Sequence, residues 1–151
     1  MLAAGNRAPE FTAHNQNNEA VSLRDLLRNG PLILYFYPAD FTPGCTREAC
    51  SLRDLHAQLV AAGIGVAGVS PQSAESHAAF AAKYALPFTL LCDPDKLLAR
   101  AYDVLGPLGF GIRRASFLIS RAGLIEDAVV ADLRIGRHEE FFRKAAMAHT
   151  R

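Results

Sequence analysis

Leu32-Ile33-Leu34-Tyr35-Phe36-Tyr37, continuing through Pro38-Ala39-Asp40-Phe41 into Thr42-Pro43-Gly44-Cys45, reads as a strand that leads through a short loop into a helix. Residues 32–37 are apolar or aromatic with no polar alternation, the pattern of a strand covered on both faces. Thr42 then suits the N-cap. Pro43 suits N1, where its missing N–H is no loss, and this sets Cys45 at N3.

Outward from this segment, apolar runs at 64–69, 88–92 and 115–119 read as further strands. Between them the spacing predicts helices over about 43–62, stopping near Gly63, over about 74–84, stopping before Pro87, and a short one around 97–102. This alternation is the signature of an α/β fold, whose crossovers link parallel strands. The ends differ. Residues 11–23 read as an N-terminal β-hairpin closed by Asn15-Gln16-Asn17-Asn18, and Ser120-Arg121-Ala122-Gly123 reads as a turn joining 115–119 to 124–130. The expected sheet is therefore mixed, with helices flanking it. A last helix is expected after Gly136, with Phe141, Phe142, Ala145 and Ala146 on one apolar face.

Composition bounds the function. A chain of 151 residues that is 50% hydrophobic holds enough apolar material for the core of one domain, expected to span 1–151, without disulfide staples. Its charges nearly cancel at +1, which leaves no basic excess to neutralise nucleic-acid phosphates or an anionic membrane surface. No run approaches the ~20 apolar residues of a membrane span, and residues 1–11 lack a secretory pattern, so a cytoplasmic location is expected. The count of three cysteines is odd, and a reducing compartment keeps such thiols free unless they react or bind metal.

Cys45 has the strongest claim to chemistry. A thiolate is the reactive form of cysteine, and it is favoured where free backbone N–H groups and the positive end of a helix dipole point at the sulfur. Capping alone explains Thr42 and Pro43. It does not explain a cysteine directly after Gly44, whose missing side chain lets a ligand approach the backbone closely.

Pro38, Thr42 and Cys45 match P-x-x-x-T/S-x-x-C, so the chain resembles the peroxiredoxins, peroxidases of thioredoxin-like fold. The strings Tyr35-Phe36-Tyr37-Pro38, Thr42 through Cys50, Arg53-Asp54 and Arg114-Ala115-Ser116-Phe117-Leu118-Ile119 resemble the bacterioferritin-comigratory, or peroxiredoxin Q, branch. The resemblance implies that Cys45 is the peroxidatic thiolate and that Pro38 shields its sulfur. It also implies that the Thr42 hydroxyl donates first to the thiolate and then to the peroxide oxygen, while Arg114 supplies charge and donors. Arg113 has the wrong strand parity for that role. Glu48, one turn after Cys45, matches a position that orients the arginine, although a solvated helix carboxylate is the plainer alternative.

A sulfenic acid on Cys45 would condense with a second thiol, and Cys50 is the candidate resolving residue. In an intact helix the two Cα atoms stand roughly 8.7 Å apart and are turned about 140° around the axis. A disulfide needs them within about 7 Å, so the pairing requires the first turns of the helix to unwind. Some relatives keep the resolving cysteine at a position matching Ala81 or Ala82, which is not available here. Cys92 reads as buried and inert.

The segment 106–111 is short and glycine-rich where it precedes the arginine strand, and His56 reads as solvent-facing. No cofactor or metal is expected. The implied partners are hydrogen peroxide or an organic hydroperoxide and a thioredoxin-like reductant, with a monomer favoured over a dimer.

Two other functions compete. A dithiol oxidoreductase would share the strand-to-helix cysteine but uses Cys-x-x-Cys. A zinc module built on Cys45, Cys50, Cys92 and a histidine fits poorly, because structural zinc sites favour close cysteine pairs in core-poor domains.

Overall fold

The computed structural model describes residues 1–109 and 111–149; Phe110, within the glycine-rich segment, lies outside the described residues, as do Thr150 and Arg151. In chain order the strands are β1 (Thr12–Asn15), β2 (Ala20–Ser22), β3 (Leu32–Phe36), β4 (Gly65–Ser70), β5 (Thr89–Cys92), β6 (Ala115–Ile119) and β7 (Ile125–Val130). The helices are α1 (Leu23–Leu26), α2 (Pro43–Ala61), α3 (Ala74–Tyr84), α4 (Leu97–Ala101) and α5 (Ile135–His149). The strands form a mixed sheet in the order β2-β1-β5-β4-β3-β6-β7. Strands β3, β4 and β5 run parallel through the α2 and α3 crossovers, while β6 lies antiparallel to β3. The fold is thioredoxin-like.

The expected N-terminal hairpin forms, and β1 pairs antiparallel with β5, which extends the sheet at that edge. Helix α1 was not expected from the sequence, although Leu23, Leu26 and Leu27 have helical spacing and pack on the core. It rests on a capping box in which Ser22 Oγ accepts from the Asp25 amide and the Asp25 carboxylate accepts from the Ser22 amide, each at 3.0 Å. Helix α5 begins at Ile135, one residue before the glycine expected to precede it.

Two core layers explain why residues 32–37 show no polar alternation. Leu32, Leu34 and Phe36 pack with Leu98, Tyr102 and Phe117 on one side of the sheet. Ile33, Tyr35 and Tyr37 pack on the other with Leu52, Leu59, Phe80 and Phe142, beneath α2, α3 and α5. Strand parity thus divides the run between two faces, both covered.

Register places the site. Phe36 pairs with Ala115, so Arg114 stands beside the end of β3 where the chain turns into α2. Open α/β sheets expose their functional groups beyond the carboxyl ends of their strands, and Cys45 and Arg114 converge there.

Candidate active site

Thr42 is the N-cap of α2 with Pro43 at N1, and the Thr46 amide donates to the Thr42 carbonyl at 2.8 Å. Cys45 therefore lies in the first turn, where the helix presents unsatisfied N–H groups, and it is only 1% exposed. Arg114 Nη2 donates to Cys45 Sγ at 3.3 Å, while Nη1 donates to Glu48 Oε1 at 2.9 Å. Its Nε donates to the Asp132 carbonyl at 3.3 Å, and its backbone amide donates to Asp132 Oδ1 at 3.0 Å. Arg114 is thus anchored on two sides with one nitrogen left for the sulfur. Burial works against its charge, but Glu48 and Cys45 outweigh that and raise its pKa.

Glu48 is fully buried and paired with Arg114, not a solvated helix carboxylate. Burial pushes its pKa up to about 7 despite the neighbouring guanidinium. Arg113 turns away to an exposed pair with Asp132 at 2.9 Å. Burial of Asp132 is outweighed by hydrogen bonds from Arg113 and from the Arg114 amide, which lower its pKa.

Gly44 has a steric reason. A Cβ there would stand 3.0 Å from Arg114 Nη2, so the arginine takes the space beside this glycine where a ligand was expected. Pro38, Thr42, Gly44 and Arg114 line one wall of a cavity of about 870 Å³, and Leu105, Pro107, Ile112, Leu133 and Ile135 make much of the rest apolar.

Several details depart from the sequence reading. The Thr42 hydroxyl donates to the Ala39 carbonyl at 3.1 Å, where donation to Cys45 was expected; the local turn offers that acceptor three residues back. Pro38 is exposed on the cavity wall. His56 is half-buried, its ring 6.4 Å from that of Phe88, because the inner face of α2 reaches further round than its polar residues suggest. Cys92 is half-buried with Sγ 3.9 Å from the Asn15 carbonyl, and burial followed by the charge of Asp40 raises its pKa. Cys50 lies half-buried on the intact helix, and all three cysteines are free.

Two buried histidines were missed. His138 on α5 is fully buried, with Nδ1 2.9 Å from Ser116 Oγ and Nε2 3.0 Å from the Ala131 carbonyl. The signal was available, since position 138 shares the helical period of Phe141, Phe142 and Ala145. His77 on α3 places Nδ1 2.7 Å from Asp40 Oδ2 and Nε2 3.0 Å from the Leu91 carbonyl, and Asp40 also accepts from Tyr37 and Ser76. This cluster fastens the loop before α2 to α3 and β5. Phe41, in the same loop, has a φ of 66°, a left-handed conformation that costs a residue with a Cβ roughly 1–2 kcal/mol.

Among the described residues no group of His, Cys, Asp and Glu is arranged to hold a metal ion, and no helix is long and apolar enough to cross a membrane.

Comparison with known proteins agrees with this geometry. The AhpC/TSA family model matches residues 4–128. The chain is 42% identical over 128 residues to peroxiredoxin Bcp of Bacillus subtilis, which covers 81% of each protein. Its structure resembles that of peroxidoxin BcpB from Mycobacterium tuberculosis with a TM-score of 0.91 at 28% identity, covering 98% of both chains. It also resembles the bacterioferritin comigratory protein of Xanthomonas campestris, a protein described for alkyl peroxide reduction, with a TM-score of 0.84 at 32% identity over 93% of this chain and 92% of that one. The chain is a peroxiredoxin of the AhpC/TSA family, a thiol peroxidase of the bacterioferritin-comigratory, or peroxiredoxin Q, type.

Proposed function

We propose that Cys45 is the peroxidatic residue and that the protein reduces hydrogen peroxide and organic hydroperoxides through a Cys45–Cys50 disulfide. The observation that carries this reading is the 3.3 Å contact from Arg114 Nη2 to Cys45 Sγ beside a largely apolar cavity. The thiolate attacks the terminal oxygen of R–O–O–H, the O–O bond breaks, and the sulfur becomes Cys45–SOH while the leaving alkoxide takes up a proton as alcohol or water. Arg114, fixed by Glu48 and Asp132, stabilises charge developing on both oxygens without having to reorganise. A rotation about χ1 would free the Thr42 hydroxyl from Ala39 to donate to the substrate. Pro38 bounds the approach.

Cys50–SH then condenses with the sulfenic acid, forming the disulfide and releasing water. This requires the first turns of α2 to open, and the strained Phe41 and the exposure of Thr42 and Pro43 make that end the weaker one. A dithiol protein such as thioredoxin would restore both thiols by way of a mixed disulfide. The apolar cavity lining and the alkyl peroxide reduction described for the Xanthomonas relative favour organic hydroperoxides among the substrates.

Thiol counting after one equivalent of hydroperoxide, with mass mapping of the disulfide, tests the scheme. Loss of two thiols joined as Cys45–Cys50, abolished by Cys45→Ser, is expected. A dominant Cys45–Cys92 pair would overturn the assignment of Cys50.

A further inference from the structure

Glu48 and His138 face each other between α2 and α5, both fully buried. Glu48 Oε1 accepts from Arg114, but Oε2 has no hydrogen-bond partner among the described residues. His138 Nδ1 stands 3.4 Å from that oxygen. The other contacts of the ring decide where its hydrogen lies. The Ala131 carbonyl can only accept, so Nε2, 3.0 Å away, carries the hydrogen. In the neutral ring Nδ1 then bears no hydrogen, and its one in-plane lone pair, which accepts from the Ser116 hydroxyl at 2.9 Å, is also what it presents to Glu48. If Glu48 were ionised, two lone pairs would meet in a buried gap with no hydrogen between them, an arrangement that buried polar groups avoid. Burial independently favours the neutral form of each, raising the Glu48 pKa to about 7 and lowering that of His138 to about 4.

We propose that in the reduced enzyme Glu48 holds a proton on Oε2, sharing the His138 Nδ1 lone pair with the Ser116 hydroxyl, and that this leaves the charge of Arg114 undivided for Cys45 and the incoming hydroperoxide. Arg114 is then held by a neutral acceptor. His138 touches no reacting atom; it is a positioning residue that acts through Glu48 and Arg114. Loss of the proton sets a carboxylate against both the thiolate and the developing oxyanion, so peroxide reduction slows as pH rises through about 7.

The groups around the Glu48–His138 pair are Arg114 ahead of β6, Ser116 within it, which bonds His138, Glu139 on α5, Tyr35 on β3 and Cys45 on the helix of Glu48. Of these only Arg114 is a cation; Glu139 further raises the Glu48 pKa, while itself pairing with Arg47 at 2.7 Å. Asp132 and Arg137 act on His138 with opposite sign.

The inference rests on Cys45 reducing hydroperoxides, and the experiment separates the two. The second-order rate of Cys45 oxidation by hydrogen peroxide would be measured from about pH 6 to about pH 8 for the wild type, Glu48→Gln and Glu48→Ala. A glutamine can accept from Arg114 and donate to His138, mimicking the protonated acid. The ratio of the wild-type rate to the Glu48→Gln rate should therefore fall several-fold with a midpoint near 7, and Glu48→Ala should be slower than Glu48→Gln throughout. Nitrogen NMR of wild-type His138 should show Nε2 protonated and Nδ1 bare at all these pH values, with the Nδ1 shift moving at the same midpoint. A pH-independent ratio, a Glu48→Gln rate as low as that of Glu48→Ala, or a doubly protonated His138 ring would each overturn the inference. A wild-type Cys45 that peroxide does not oxidise at any of these pH values would instead overturn the functional reading beneath it.

Discussion

Arg114 reaches Glu48 with one guanidinium nitrogen at 2.9 Å while the other lies 3.3 Å from Cys45, so one planar group joins α2 to the segment ahead of β6. A lysine ammonium is a single point and cannot span both contacts. Arg114→Lys should lower the rate of Cys45 oxidation by roughly 10²-fold, the scale of losing one preorganised donor, while the far-ultraviolet circular dichroism spectrum is retained. A rate within twofold of the wild type would refute the role given to the fork.

Gly44 separates activity from stability. Alanine is favoured over glycine in a helix by up to about 1 kcal/mol, which offsets part of the cost of crowding Arg114, so Gly44→Ala should change the melting temperature by only a few degrees. Its Cβ would meet Arg114 Nη2 at 3.0 Å, and the arginine, pinned by Glu48 and Asp132, has little room to yield. Peroxide reduction should fall about tenfold or more, read by stopped-flow fluorescence or thiol titration.

Cys45 and Cys50 lie on one uninterrupted helix, whose geometry keeps their Cα atoms too far apart to bridge. Oxidation to the disulfide should reduce helical circular dichroism and amide protection across about residues 43–55. Unchanged protection in a protein with a verified Cys45–Cys50 bond would contradict the unwinding. Cys50→Ser should still consume one equivalent of peroxide but fail to turn over with a dithiol protein as reductant, whereas Cys92→Ser should cycle normally.

Asp40 links stability to pH. Burial alone would raise its pKa, but hydrogen bonds from His77, Tyr37 and Ser76 outweigh this and hold it below the usual carboxylate range. The sign follows. Because the folded pKa is depressed, the stabilisation is complete above the unfolded value of about 3.9 and is lost as pH falls through the folded one. Asp40→Asn should lower the melting temperature at neutral pH and flatten its decline on acidification, as measured by calorimetry.

Much of this was legible in the sequence, for definite reasons. The run 32–37 is apolar at every position because both faces of β3 are covered, and that pattern needs no partner to be read. Thr42 and Pro43 mark a helix start through local backbone chemistry alone. The short α1 escaped because a single turn, Leu23–Leu26, is too brief for the spacing of Leu23, Leu26 and Leu27 to stand out from the strand ahead of it. Thr42 illustrates the limit, since N-cap position follows from the sequence while the acceptor its hydroxyl chooses depends on where the Ala39 carbonyl points.

What the sequence determined by itself was an α/β fold with a cysteine in the first turn of a helix, since period, capping and residue type are local properties. It left Glu48 open between a solvated carboxylate and a partner of Arg114, and it gave no sign that His138 stands opposite. Only the tertiary structure decided those points. The register of β6 on β3 brings Arg114 to the mouth of α2, and the packing of α5 on α2 seals Glu48 from water against His138. Burial and charge pairing arise from contacts between residues far apart in the chain, and no local pattern encodes them.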